Sequence, residues 1–294
     1  MNTAKCQVLL KTAELGSFTR AAEALGYTQS AVSRAIADLE REWDLPLLAR
    51  SREGALLTSQ GEALLPQIRA LCNAERGLES QVAALHGLTQ GTLRVGTFNS
   101  VSVHWLPAIM KKFLTCYPGI RFELVCKWEF AEVEDLVRRG AVDCGFLGLP
   151  VGPGLEAIPL FQDQFLVALP SDHPLAGAPC YPFARFLEDP YIAIPEDRDL
   201  EIEPIFQEAG LRPRLQYTVN DDMAILAMIE QGLGVSIRSG LVLRDSGRHF
   251  AAIPLERPYF RQIGLVLPQG TAPSALTERF VACVQEWIDR AFPA

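Results

Sequence analysis

The sequence predicts an α/β protein that carries a small helix-rich domain at its N-terminus, with one long helix between the two parts. Three observations predict it. Apolar residues recur at helical spacing through the first 43 residues, a 4-3 apolar repeat runs from Leu64 to Leu85, and beyond Gly91 strand-length apolar runs alternate with amphipathic stretches. A chain of 294 residues that is 49% hydrophobic and 21% charged can bury two cores, which excludes wholesale disorder.

Residues 3–15 read as a helix with Cys6, Leu9, Leu10 and Ala13 on one face. Gly16 ends it, and Ser17 caps a second helix over Phe18 to Leu25. Gly26 supplies the positive φ of a tight turn, and Thr28 caps a third helix from Gln29 to Trp43. Val32, Ile36, Leu39 and Trp43 fall at i, i+4, i+7 and i+11 of that helix, which makes one buried face. The opposite face offers Ser30, Ser33, Arg34 and Ala37. This is the pattern of a helix-turn-helix, whose second helix must approach base edges and so carries small exposed residues. The same pattern also fits the solvated face of an ordinary helical bundle. Next, Leu45–Leu48 and Ala55–Thr58 flank a basic tip ending in Gly54, a β-hairpin wing that places Arg50 and Arg52 for phosphate or the minor groove.

The net charge of −8 does not sit in this segment, where seven basic side chains balance seven acidic ones through residue 60. Any DNA contact is therefore confined to the N-terminal domain. From Thr58 a helix of ~30 residues is predicted, with Leu64, Ile68, Leu71, Glu75, Leu78, Val82 and Leu85 at coiled-coil spacing. It carries Pro66 near its start and needs a partner, of which a second copy is the simplest.

Beyond Gly91, strands are expected at Leu93–Thr97, Phe122–Cys126, Cys144–Leu147, Phe165–Leu169, Tyr191–Ile194, Gln216–Val219, Val235–Ile237 and Ile263–Leu267. Helices are expected at Trp105–Tyr117, Phe130–Arg139, Glu203–Glu208, Asp222–Gln231 and Ser274–Arg290. The reading is a largely parallel sheet in two lobes, with a ligand crevice at the strands' carboxyl ends.

Seven cysteines without a C-x-x-C pair and four isolated histidines give no metal site, and no cofactor motif or nucleophile–base pair is visible, so no enzyme is expected. The N-terminus lacks the apolar run of a signal peptide and no segment reaches ~20 apolar residues, which points to a cytoplasmic protein.

Gly16-Ser17-Phe18-Thr19-Arg20-Ala21-Ala22-Glu23-Ala24-Leu25, then Gln29-Ser30-Ala31-Val32-Ser33-Arg34-Ala35-Ile36 and Leu39-Glu40, closely resemble the N-terminal signature of LysR-type transcriptional regulators. The resemblance runs on through Leu57-Thr58-Ser59-Gln60-Gly61 and, more loosely, Leu93-Arg94-Val95-Gly96, Gly140-Ala141-Val142-Asp143 and Gly232-Leu233-Gly234-Val235. It implies a winged helix-turn-helix at 1–58, a dimerising linker helix at 59–90 and an effector domain at 91–294 like type-2 periplasmic binding proteins. The lobes of that domain would be about 91–161 with 267–294, and 162–266. It also implies dimers that pair into tetramers on operator DNA, a small-molecule effector, and Thr28, Gln29, Ser30, Ser33, Arg34, Arg50 and Arg52 on DNA. Ser30 stands where proline is common, and Leu48-Ala49-Arg50 where a Phe-Glu-Arg run is common, so the operator is not implied.

By the same resemblance the effector sits where the first strand of the domain meets its first helix, at Asn99, Ser100, Val101 and Ser102, where backbone N–H groups and hydroxyls suit an anion. Ser100 or Ser102 can equally serve as a helix cap. Trp128 and Glu129 replace the small residue and hydroxyl common there, which favours an amine-bearing or aromatic effector over a plain dicarboxylate unless Lys127 or Arg238 compensates. Glu129 alternatively turns to solvent as a capping acid, and Arg238 either binds an anion or bridges the lobes. Oxidant-sensing relatives place two cysteines in the second lobe, where this chain has only Cys180; Cys126 and Cys144 are expected on core strands. Residues 91–294 alone would also suit a transport solute-binding protein or an enzyme on the same fold, and the N-terminal segment argues against both.

Overall fold

The computed structural model describes residues 2–51, 54–85, 90–195, 201–270 and 272–293. Helices α1 (Thr3–Leu15), α2 (Phe18–Leu25) and α3 (Gln29–Trp43) precede a hairpin of β1 (Leu48–Ser51) and β2 (Gly54–Leu57) and the long helix α4 (Ser59–Leu85). The local signals act as expected. Gly16 and Gly26 are left-handed, Ser17 Oγ accepts from the Arg20 N–H, and Thr28 Oγ1 accepts from the Ala31 N–H at 3.2 Å. Ala21 and Ala22 let α2 and α3 close on Val8, Val32 and Ile36. A second small core joins Cys6, Leu9, Leu39 and Leu47 to Ile68 and Cys72 of α4.

Two close approaches set the wing. Gly54 has φ +128°, and a Cβ there would lie 2.2 Å from the Gly16 carbonyl oxygen, which accepts from the Ala55 N–H at 2.9 Å. A Cβ at Gly61 would lie 2.3 Å from the Leu47 carbonyl oxygen. Glu40 Oε1 ties α3 to the hairpin by accepting from the Leu47 and Leu48 N–H groups at 2.7 and 3.1 Å.

The C-terminal domain runs β3 (Gly91–Thr97), α5 (Asn99–His104), α6 (Leu106–Cys116), β4 (Ile120–Cys126), α7 (Phe130–Arg138), β5 (Cys144–Leu149) and the long β6 (Leu155–Pro170). A 3-10 turn at Phe183–Leu187 and β7 (Tyr191–Ala193) follow, then α8 (Glu203–Ala209), β8 (Leu215–Thr218), α9 (Asp222–Glu230), β9 (Ser236–Ser239) and α10 (Gly240–Leu243). The chain ends with β10 (Phe250–Pro254), β11 (Phe260–Pro268) and α11 (Ala275–Ala291).

The main sheet has the order β10-β6-β11-β5-β3-β4, with β9 also on β6, and β7 pairs with β8 beside it. The expectation of a largely parallel sheet is corrected. Pairs β3–β4, β3–β5 and β7–β8 are parallel, whereas every pair made by β6 or β11 is antiparallel. The reason is that β6 alone runs from the first lobe into the second. It pairs antiparallel with β11 over residues 155–164 and with β9 and β10 over residues 165–170, whereas the apolar run marks only its second-lobe end. Ile263, Leu265 and Leu267 of β11 pack in the first lobe's core with Val95, Trp105, Phe113 and Phe280. The return crossing therefore lies near 260–262, ahead of the expected boundary at about 267. The second core gathers Phe165, Val167, Tyr181, Phe186, Tyr191 and Ile237.

Helix α4 stays continuous through Pro66 and touches both parts of the chain. Glu75 accepts from Thr3 Oγ1 and Gln7 Nε2 on α1, while Asn73 Nδ2 and Arg76 Nη2 donate to the carbonyls of Arg139 and Gly140.

Candidate functional site

Helix α3 presents the first site. Thr28, Gln29, Ser30 and Arg34 are exposed and Ser33 is half-buried, while Val32, Ile36 and Leu39 anchor the opposite face. The Thr28 and Ser30 hydroxyls lie 3.0 Å apart. Arg34 forms no ion pair among the described residues, whereas Asp38, one turn on, is engaged by Arg41 at 3.1 Å and faces Lys5 at 3.9 Å. Arg50 stands opposite Ala55 in the hairpin, and Arg52 lies outside the described residues.

The second site is a cleft between the lobes. From the first lobe Phe98, Asn99, Ser100, Lys127, Trp128, Glu129 and Phe130 line it; from the second come Phe165, Ile194, Asn220, Asp222, Arg238, Ser239 and Val242, with Glu201, Ile202 and Arg261 beside them. Five of the expected effector residues thus meet there: Asn99, Ser100, Trp128, Glu129 and Arg238. Two do not. Val101 is fully buried in the first core, because it falls on the inner face of α5. Ser102 Oγ donates to the Phe98 carbonyl at 2.8 Å and faces Cys126 Sγ at 3.2 Å, so its hydroxyl is engaged within its own lobe.

Neither serine caps α5, whose N-cap is Phe98, and that helix has only six residues. Ser100 Oγ instead accepts from Arg261 Nη2 at 3.1 Å. Glu129 is the N-cap of α7 but its side chain makes no capping bond, and it remains exposed at the cleft rim. Lys127 Nζ pairs with Glu132 at 2.8 Å.

Arg261 is the residue that sequence reasoning missed. Its guanidinium donates to Asp163 through Nε at 2.9 Å, to Glu201 through Nη1 at 3.1 Å and to Ser239 through Nη2 at 2.8 Å, and its carbon lies 5.2 Å from the Phe98 ring centroid. The available signal was a charged residue inside each of two strand segments, Gln162-Asp163-Gln164 and Phe260-Arg261-Gln262.

Arg238 differs. Its side chain is 4% exposed, Nη1 donates to the Ile237 carbonyl at 2.8 Å, and Asp222 lies 3.5 Å from Nε. Nε and Nη2 have no hydrogen-bond partner among the described residues. Burial pushes the Asp222 carboxyl above the usual range despite Arg238, and burial does the same to Glu201 despite Arg261. Cys144 is buried as expected, and burial raises its thiol; Cys126 is exposed at the open end of the sheet's edge strand, contrary to its expected core position.

Family models complete this geometry. Residues 4–62 match the bacterial regulatory helix-turn-helix protein, lysR family, and residues 86–289 match the LysR substrate binding domain. The chain belongs to the LysR family of bacterial transcriptional regulators. It is similar to the uncharacterized HTH-type transcriptional regulator YvbU of Bacillus subtilis, at 31% identity over 97% of this chain and 98% of that one. Among solved structures, full-length OxyR C199D from Pseudomonas aeruginosa aligns at TM-score 0.75 and 21% identity, covering 98% of this chain and 95% of that one. Full-length CbnR complexed with its target DNA aligns at TM-score 0.66 and 24% identity, covering 98% of this chain and all of that one (100%). As a LysR-family regulator the chain joins a DNA-binding helix-turn-helix to an effector-binding domain, and the cleft lies inside the latter. No helix among the described residues is long and apolar enough to cross a membrane.

Proposed function

We propose that this protein is a cytoplasmic regulator that reads operator DNA with α3 and the wing, and that a small effector in the inter-lobe cleft changes how it binds or bends that DNA. Thr28, Gln29, Ser30, Ser33 and Arg34 face the major groove, and Arg50 and Arg52 hold the backbone. Residues 1–58 form the DNA-binding domain, 59–90 the linker that joins copies into dimers and tetramers, and 91–294 the effector domain. The observation that carries the effector half is Arg238: a buried guanidinium on the cleft wall whose Nε and Nη2 have no hydrogen-bond partner among the described residues. Burying such a group unsatisfied is costly, and a bound acceptor removes that cost. The complex of the CbnR relative with its target DNA supports the DNA half.

A gel-shift with DNA flanking the protein's own gene tests the reading, because specific retardation is expected there and not on random DNA. Retardation that is equal on both DNAs counts against it. The effector half is tested by adding small molecules to the same assay.

A further inference from the structure

The cleft places a cation and an anion side by side in its wall. Arg238 Nε lies 3.5 Å from Asp222 Oδ1, beyond hydrogen-bond reach in this orientation, and the two side chains are 4% and 13% exposed. Arg261, by contrast, is satisfied within the protein by Asp163, Glu201, Ser100 and Ser239. Of the two cleft arginines, Arg238 is the one with buried nitrogens, Nε and Nη2, that lack a hydrogen-bond partner among the described residues. A guanidinium with two adjacent N–H groups suits a planar carboxylate, which can bind it in bidentate fashion.

The rest of the cleft argues against a second ligand anion. Arg261 meets two carboxylates, Asp163 and Glu201; Lys127 is paired with Glu132; Glu129 stands at the rim. Each additional negative group on a ligand would face acidic side chains rather than free cations. An ammonium is favoured there, and Asp222 next to Arg238 is placed to receive it. The α-amino acid head group has this pairing, since its carboxylate and ammonium hang from one carbon and need partners that are neighbours. The cleft opens to solvent, and the space within it, about 110 Å³, suits the head group of a small ligand.

We propose that the cleft binds the head group of a compact, net-neutral α-amino acid, with its carboxylate on Arg238 and its ammonium on Asp222. This rests on the reading of the cleft as the effector site. The short side chain of the ligand then points toward Trp128 and Phe130 across the cleft.

The test is a thermal-shift survey of the full chain with each proteinogenic L-amino acid, followed by calorimetric titration of the hits. For each hit, the amine lacking the carboxylate and the acid lacking the amine serve as amputated controls; succinate and glucose represent other classes. A compact neutral amino acid is expected to raise the melting temperature, and both amputated forms are expected to fail. Arg238→Gln and Asp222→Asn should each weaken its binding about 30-fold or more. Folding is checked by circular dichroism, and Arg238→Lys, which keeps the charge but not the fork, replaces a glutamine variant that does not fold.

Absence of a shift with any amino acid overturns the proposal. Binding of succinate or glucose instead, lost in Arg238→Gln, overturns the amino-acid class and leaves the effector cleft standing. An amino acid that binds wild type and both variants equally overturns the proposal and counts against the cleft as the effector site.

Discussion

Arg261 on β11 donates to Ser100 on α5 at 3.1 Å while the same guanidinium holds Asp163, so one side chain joins the crossing strands to the wall of the first lobe. The pair is deeply buried, with Arg261 9% and Asp163 3% exposed. Asp163 Oδ1 also accepts from the Leu241 N–H at 3.0 Å, which fixes the start of α10. Arg261→Gln leaves a buried carboxylate without its counter-charge and is expected to cost about 3–5 kcal/mol in urea unfolding of the effector domain. Adding Asp163→Asn should recover part of that loss, because Asp163 is the more buried of the two carboxylates that Arg261 holds. A double-variant loss equal to the sum of the two single-variant losses would show that the two residues act independently.

The cleft acids give stability a pH dependence of definite sign. Burial holds the Asp222 carboxyl above its ordinary range in the folded chain. A carboxyl with a raised folded pKa binds its proton more tightly in the native state than in the unfolded one. Its contribution to stability is therefore full below the unfolded value and is lost as pH rises through the folded one. The unfolding free energy of wild type minus that of Asp222→Asn should fall as pH rises through this window, as followed by denaturant titration. A difference that is flat with pH, or that rises, contradicts the assignment.

What could be read from the sequence was local. The bounds of α2 and α3, their Ser17 and Thr28 caps and the turn at Gly26 follow from residues within four positions of one another. The cleft was half legible: Ser100 and Arg238 were placed in it, but what they bond to was not. Ser100 meets Arg261, which lies 161 residues away in sequence, and no period or spacing announces such a pair. The sheet's mixed topology was hidden for a related reason. Gln162, Asp163 and Gln164 interrupt the apolar run of β6, so its lobe-crossing half does not read as strand.

The wing depends on one residue that cannot carry a side chain. At Gly54, φ is +128° and a Cβ would lie 2.2 Å from the Gly16 carbonyl oxygen. Gly54→Ala must therefore move the hairpin off the α1–α2 turn and break the bond from the Ala55 N–H. The expected outcome is a loss of about 1–3 kcal/mol in stability of the N-terminal domain together with weaker operator binding. Both are checked by thermal unfolding and gel-shift on one preparation.

Arg34 is exposed on α3 two residues beyond Val32, which anchors the helix at full burial. A side chain held that firmly at its base can reach base edges without the helix shifting. Arg34→Ala is expected to reduce discrimination between operator and random DNA by roughly 1–3 kcal/mol, measured by competition gel-shift. Equal losses on both DNAs would make Arg34 a phosphate contact.

The apolar repeat of α4 divides into two functions. Leu64, Ile68, Leu71 and Cys72 pack with Cys6, Leu9, Leu39 and Leu47 of their own domain, and Glu75 is bonded to Thr3 and Gln7. The first half of the repeat is thus spent within the chain, which also explains a glutamate at a seam position. Beyond it, Leu78 is 64% and Val82 47% exposed, one turn apart on one face. These are the positions left for a second copy. Replacing Leu78 and Val82 by Asp should dissociate the oligomer in sedimentation analysis with little change in the melting temperature of the dissociated chain, because neither side chain is buried within it. Leu71→Asp should instead lower that melting temperature, because it places a charge against the Cys6–Leu9 core. If Leu78→Asp with Val82→Asp leaves the sedimenting species unchanged, copies of this chain associate through some other surface.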